Sequence, residues 1–308
     1  MSDSTKLKIV SLLPSATEII DCLGLTDFLV GRSHECDYPP AVRDLPICTL
    51  ARLNSQQDSK AIDVEVQTLM QQALSIYEIQ TDVLAQLQPT HIVTQDQCDV
   101  CAVNLPEVER AIAKLTNAQP QIVSLQPDLL EEVWEDIARV AKILGVDPQP
   151  TLDKLQNRLY LIAHQVKELQ NRPTVVAIEW TEPLMVGANW IPDLIEIAGG
   201  QPLLSVRGQH SPYIDWDSLT DADPDIIVIM PCGFDLERTE RESQVLTEHP
   251  QWQNLNAVKS NQVFIVDGNA YFNRPGPRLV DSAEILAEIF YPQLFDYGLK
   301  DKNWKALT

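Results

Sequence analysis

Basic residues are scarce in this chain of 308 residues: 23 Lys and Arg stand against 44 Asp and Glu, a formal net charge of −21. Such a surface repels phosphate backbones and anionic headgroups, which argues against nucleic acid and membrane surfaces as partners. A neutral or locally cationic small ligand is unaffected by that charge. Long apolar runs are also missing. No stretch approaches the roughly 20 apolar residues of a membrane span, so membrane insertion is not expected. The start, Met1-Ser2-Asp3-Ser4-Thr5-Lys6-Leu7-Lys8, passes directly into Ile9–Leu13 without the apolar core and small-residue cleavage site of an export signal. The expected location is cytoplasmic as the sequence is written, and periplasmic if a leader has been trimmed. Cysteine is too sparse for a disulfide scaffold: the six present, Cys22, Cys36, Cys48, Cys98, Cys101 and Cys232, fit reduced thiols better. Aromatics are only 6% of residues, so the places where they gather carry weight. The apolar 44% and charged 22% are those of a soluble globular protein, and the length allows two domains or one bilobal unit.

Along the chain, strands alternate with helices. Lys8–Leu12 reads as a buried strand, followed by Pro14-Ser15-Ala16-Thr17-Glu18, a capping-box pattern with Ser15 as N-cap, and a helix closed by Gly24. Phe28–Gly31 is a second strand. Residues 61–87 read as helical with an imperfect period, Ile92–Thr94 as the third strand, Pro106–Leu115 as a helix and Gln121–Leu125 as the fourth strand. Two amphipathic stripes follow, one from Leu130 to Leu144 that includes Trp134 as a core residue, and one from Leu152 to Leu169, separated by Gly145 and Pro148. After Pro173 the order returns. Thr174–Ile178 is a strand, and Ile191–Ala198 is a helix closed by Gly199-Gly200. Asp223-Pro224-Asp225-Ile226-Ile227-Val228 echoes Gln88-Pro89-Thr90-His91-Ile92-Val93, and Val263–Val266 echoes Gln121–Ser124. The last helix runs from Leu279 to Phe290.

This alternation predicts an α/β fold of two parallel-sheet lobes: residues 1–126, a helical connector over 127–171, and residues 172–308, with a ligand cleft between the lobes. In open α/β sheets ligands lie outside the carboxyl ends of the strands. The loops there hold nearly all the chemically unusual residues: His34, Cys36, Cys98, Cys101, Trp180, Trp190, His210, Tyr213, Cys232, Tyr271, Phe272 and Arg274. Five aromatics among them fit a broad, flat apolar ligand. Arg274, on a rigid Pro275-Gly276-Pro277 loop, suits amide, carboxylate or phosphate oxygens, or a structural ion pair.

The pair Cys98-x-x-Cys101 reads in several ways. With His34 and Cys36 it would complete a tetrahedral metal set. Alone it could be a redox pair, soft contacts to a bound metal chelate, or two small buried residues without a role. Cys22, inside a helix, and Cys48 read as structural. No general acid and base pair, Gly-rich phosphate loop or Ser-His-Asp spacing stands out, so the expectation is a binding protein and not an enzyme. Glu179 and Glu182, flanking Trp180, are weak evidence for catalysis.

The segments Ser11-Leu12-Leu13-Pro14-Ser15-Ala16-Thr17-Glu18, Gly31-Arg32-Ser33-His34-Glu35-Cys36-Asp37-Tyr38-Pro39, Cys98-Asp99-Val100-Cys101-Ala102-Val103 and Tyr271-Phe272-Asn273-Arg274-Pro275-Gly276-Pro277-Arg278 together resemble the helical-backbone substrate-binding proteins of ABC importers. The resemblance covers about residues 7 to 292 and is greatest to the cobalamin-binding branch, related to the vitamin B12 binding protein of enteric bacteria. It implies a long rigid helical connector, little hinge closure, a corrinoid such as cobalamin as ligand, and an ABC permease as partner if the protein is exported; a monomer is expected. The export signal or lipid anchor of importer-associated members is not seen here, and the cysteine-rich loops depart from the better known periplasmic members. Alternatives from the residues are a cytosolic zinc, iron, iron–sulfur or thiol protein using His34, Cys36, Cys98 and Cys101, or a binder of another tetrapyrrole or iron chelate.

Overall fold

The first strand, Ile9–Ser11 (β1), is wholly buried, as a strand covered on both faces must be. The computed structural model describes residues 7–72, 75–96, 105–113 and 119–307. The chain divides into two compact units. One is Met1–Gln57 with Ala61–Pro127 and Glu132–Thr151; the other is Asp58–Lys60 with Asp128–Glu131 and Leu152–Thr308.

In the first unit, β1 leads into helix α1 (Pro14–Cys22). Its N-cap is Leu13, extended at φ −157°, with no side-chain cap. This corrects the reading of Ser15 as N-cap: proline's fixed φ suits the first helical position, so the helix starts two residues earlier and buries Ser15 inside its first turn. Gly24 ends α1 at φ +74°, where its N–H bonds Asp21 O and that of Leu25 bonds Ile20 O. Then come β2 (Leu29–Arg32), β3 (Thr49–Ala51), α2 (Ser59–Gln71), β4 (Tyr77–Ile79), α3 (Thr81–Leu87), β5 (His91–Gln95), α4 (Leu105–Ile112) and β6 (Gln121–Leu125). The sheet order β2-β1-β5-β6 is parallel throughout. The expected helical stretch 61–87 is broken by β4, which pairs antiparallel with β3 (Thr49 opposite Ile79). Ile76 and Ile79 are buried three residues apart, a spacing that a helix shares, so the sequence period alone does not separate β4 from its helical surroundings.

The two stripes form two helices, α5 (Leu130–Leu144) and α6 (Gln149–Val166). Trp134, read as a core residue, is half-buried.

In the second unit, β7 (Thr174–Trp180), β8 (Met185–Val186), α7 (Ile191–Ile197), β9 (Gln201–Pro202), α8 (Trp216–Ala222), β10 (Ile226–Ile229), α9 (Leu236–Glu242), α10 (Gln244–Thr247), α11 (Asn256–Lys259), β11 (Val263–Val266), α12 (Leu279–Phe290) and β12 (Trp304–Ala306) follow. The sheet order is β12-β11-β10-β7-β8, with β9 on β7. Its centre, β7, β10 and β11, is parallel, and β8 and β12 run antiparallel to their neighbours.

The sequence echo is a structural one. β1-β5-β6 and β7-β10-β11 repeat the same neighbour order. Gln88 and Asp223 each end the preceding helix in the left-handed region, at φ +49° and +37°, and each N–H bonds a leucine carbonyl one turn back. Gly199, at φ +91°, and Gly200 close α7 with the same pair of hydrogen bonds that Gly24 and Leu25 make on α1. Among the described residues no helix is long and apolar enough to cross a membrane.

Candidate functional site

Each parallel sheet sends the loops that follow its strands to its carboxyl edge. In the first unit, Arg32 ends β2 and is buried. Its guanidinium donates to the carbonyls of Ser33 (2.9 Å), His34 (3.3 Å) and Arg43 (2.8 Å), stapling the loop that carries His34 and Cys36. His34 is then held from two sides. Its backbone N–H donates to Thr49 Oγ1 at 3.1 Å, and its ring Nδ1 lies 2.8 Å from the same oxygen. Its half-buried ring tilts against Tyr77, 5.2 Å between ring centres, and the Tyr77 hydroxyl donates to Glu35 Oε1 at 2.9 Å. The β3–β4 pair is therefore the mount for His34. Burial, with the Arg32 charge adding to it, lowers the His34 pKa from the ordinary imidazole value and favours the neutral ring.

Cys36, two residues on, is only 1% exposed. Thr17 Oγ1, in α1, lies 3.0 Å from its sulfur and 2.8 Å from Ser11 Oγ, so Cys36 is built into the packing beneath the loop. Cys98 and Cys101 lie outside the described residues. Among the described residues no three His, Cys, Asp or Glu side chains are grouped to hold a metal ion.

In the second unit, β7 delivers Glu179 and Trp180. Trp180 is half-buried. Its indole N–H donates to Ser59 O at 3.1 Å and its ring tilts against Phe234 at 5.2 Å. Phe234 follows β10, and Arg238, one turn on in α9, lies with its guanidinium carbon 3.6 Å from the Phe234 ring centre, a cation–π contact. Cys232, half-buried in the same loop, donates its N–H to Glu179 O at 3.3 Å. Glu179 Oε2 accepts from the buried Ser211 hydroxyl at 2.8 Å, fixing the start of the His210–Tyr213 segment, in which His210 and Tyr213 are exposed.

Other expected site residues have interior placements. Trp190 is buried and donates its indole N–H to Phe272 O at 2.9 Å, and the Phe272 side chain is fully buried. Arg274 is 5% exposed and donates to Asn269 Oδ1 at 3.1 Å, bracing the loop between β11 and α12 from within. Tyr271 is half-buried under the Arg278 guanidinium, 4.4 Å from the ring centre, with its oxygen bonded by the Asn303 amide. The structure thus joins Trp180 to the Cys232 loop and Trp190 to Phe272. Sequence reasoning passed over Thr49, Tyr77, Phe234 and Arg238. The spacing of the last two, four apart at a helix start, is a readable signal; nothing local marks Thr49 or Tyr77.

The side chains that reach these edges are the half-buried His34 and Trp180 rings, the Arg238 guanidinium and the exposed His210 and Tyr213. Residues 9–270 match the family described as periplasmic binding protein. The chain is 24% identical over 300 residues to the uncharacterized ABC transporter substrate-binding lipoprotein YvrC of Bacillus subtilis (strain 168), covering 94% of this chain and 81% of that one. In fold it is similar to the periplasmic vitamin B12 binding protein BtuF of Vibrio cholerae (TM-score 0.63, 22% identity, 92% of this chain and 96% of that one). It is likewise similar to the periplasmic heme-binding protein RhuT of Roseiflexus sp. RS-1 in apo form (TM-score 0.68, 20% identity, 93% and 98%). The chain belongs to the periplasmic binding protein family, the non-enzymatic solute-binding proteins of ABC importers.

Proposed function

We propose that this chain binds a corrinoid, cobalamin first among them, through the loops at the carboxyl edges of its parallel strands, and hands it to an ABC permease. The observation that carries the reading is the half-buried Trp180 ring at the carboxyl edge of β7, backed by the buried Phe234 ring on which the Arg238 guanidinium stacks. A flat macrocycle with an apolar face and a rim of amides is matched by aromatic surface for the face and N–H donors for the rim. The fold likeness to a vitamin B12 binding protein supports the same ligand class. The likeness to a heme-binding protein makes heme the comparison ligand.

Titration calorimetry with cyanocobalamin and with hemin, followed also by visible spectra, tests the assignment. Binding heat with cyanocobalamin at micromolar concentration, weakened in Trp180→Ala, is the expected result. Heat with hemin alone would move the assignment to another tetrapyrrole, and no heat with either would remove the ligand class. Elemental analysis of the protein as isolated checks the metal alternative, which stoichiometric zinc or iron would favour.

A further inference from the structure

The hydroxyl of Thr49 has one proton and two lone pairs. Thr49 is 1% exposed, which leaves water little access to complete that set. One lone pair accepts the His34 backbone N–H at 3.1 Å, and His34 Nδ1 sits 2.8 Å away. Among the described residues Thr49 Oγ1 has no other partner. If Nδ1 carried a proton, both neighbours would be donors and the Thr49 proton would be left buried without an acceptor. Stranding a buried donor is costly enough to tilt the tautomer balance by about tenfold or more. If Nδ1 is bare, every group is satisfied: the N–H donates to Oγ1, and O–H donates to Nδ1. The remaining ring proton is then on Nε2, which makes no hydrogen bond among the described residues. The Tyr77 ring, tied through its hydroxyl to Glu35, sets the plane in which that N–H points.

The geometry points to Thr49 locking His34 as the Nε2–H tautomer, so that His34 meets its ligand as a hydrogen-bond donor to a rim oxygen or nitrogen and not as a ligand to the chelated metal. A protonated Nε2 has no lone pair to give to cobalt or iron. The lowered His34 pKa, from burial and Arg32, is consistent with a neutral ring. The inference rests on the tetrapyrrole reading for the identity of the ligand, while the tautomer stands on the protein alone. It makes His34 a reader of the ligand's periphery, selecting amide or carboxylate groups, and leaves the axial positions of the metal to other groups.

Two measurements test it. In the full chain labelled with 15N-histidine at pH 7.5, long-range proton–nitrogen correlation should show His34 with a protonated Nε2 and a bare Nδ1. The signal is identified by its loss in His34→Gln among only five histidines. The reversed pattern would overturn the proposal. Thr49→Ser should keep the pattern and Thr49→Val should shift it toward the other tautomer. The second measurement compares aquocobalamin, whose axial water exchanges, with cyanocobalamin, whose cyanide does not. A donor at the rim predicts that His34→Ala, which has no side-chain N–H, weakens both by about three- to tenfold, the worth of one hydrogen bond. A spectral change and tighter binding confined to aquocobalamin, both lost in His34→Gln, would show ligation and refute the donor role. If no corrinoid and no hemin binds, the proposed function fails, and the nitrogen spectrum still decides the tautomer.

Discussion

Replacing Gly268 with alanine should disrupt the carboxyl edge of the second unit's sheet without adding any unfavourable dihedral. A Cβ there would stand 2.4 Å from Pro231 O and 2.6 Å from Met230 O. Carbon–oxygen contacts settle at about 3.3 Å or more, so the two backbones would have to part by roughly 0.9 Å. They are not free to do so. Asn269 N–H donates to Phe234 O at 3.0 Å and Asn273 Nδ2 donates to Met230 O at 3.0 Å, tying the same two loops together. Overpacking of this kind costs about 1–3 kcal/mol, and loosening one of those bonds adds about 1 kcal/mol. With a urea slope of about 2 kcal/mol per molar, the midpoint should fall by about 1–2 M. Tryptophan fluorescence is a suitable probe, because five of the six tryptophans, all but Trp134, lie in the second unit. Gly145→Ala in the first unit is the control. It puts a side chain at φ +78° with nothing within 4 Å, so it should cost only the conformational penalty of about 1 kcal/mol and leave the second unit's transition in place. A Gly268→Ala midpoint within about 0.2 M of the parent would refute the packing argument.

Other outcomes follow from single groups. Arg158 bonds Glu284 Oε1 (2.8 Å) and Oε2 (2.6 Å) and Asp281 Oδ1 (2.6 Å); Arg158→Met takes the guanidinium from half-buried Glu284 and leaves Asp281 with Arg278 at 3.8 Å, and should lower stability by about 1–3 kcal/mol, partly restored by adding Glu284→Gln, as read by calorimetric melting. Burial pushes the Cys48 thiol up to about 12, so at pH 8 only about one in ten thousand is thiolate; peptide mapping after iodoacetamide should find Cys48 unmodified in the native protein and alkylated in urea. Rapid native labelling would contradict that. The His34 pKa is lowered on folding, so the unfolded chain takes up the proton first; stability is full above the unfolded value of about 6.5 and is lost as pH falls from there through the folded value. Urea midpoints at pH 7.5 and 5.5 should differ less in His34→Gln than in the parent, with His91, also lowered by burial, supplying what remains. Equal losses in both proteins would assign the dependence elsewhere.

The strands β1, β7, β10 and β11 were legible because a strand buried on both faces reads as a short apolar, β-branched run, and β5 and β6 because Ile92-Val93 and Ile122-Val123 keep the core of such a run between polar residues. The repeat was legible for a related reason: Pro89 and Pro224 each follow a residue forced into the left-handed region, and that junction leaves the same local sequence twice. The β3–β4 pair was not legible. Three-residue strands pairing across 30 positions, Thr49 with Ile79, leave no pattern that a window of helix length can detect. At the site, sequence position located the loops but could not say which way each side chain turns. Trp190 and Phe272 occupy post-strand loops and pack inward, whereas Trp180 stays at the edge, and His34 gains its meaning from Thr49, fifteen residues away.

The short strand β12 has a consequence for the whole molecule. It lies antiparallel on β11, with Val266 opposite Trp304 and Phe264 opposite Ala306, and Leu307 N–H bonds Val263 O at 2.9 Å. Beneath it, Val263-Phe264-Ile265-Val266 is a charge-free, β-prone run whose backbone groups would otherwise face outward as a template for a strand from another molecule. Residues 304–307 therefore cover that edge against a strand from another molecule. Trimming them should raise the protein's tendency to aggregate, read by light scattering against the full chain.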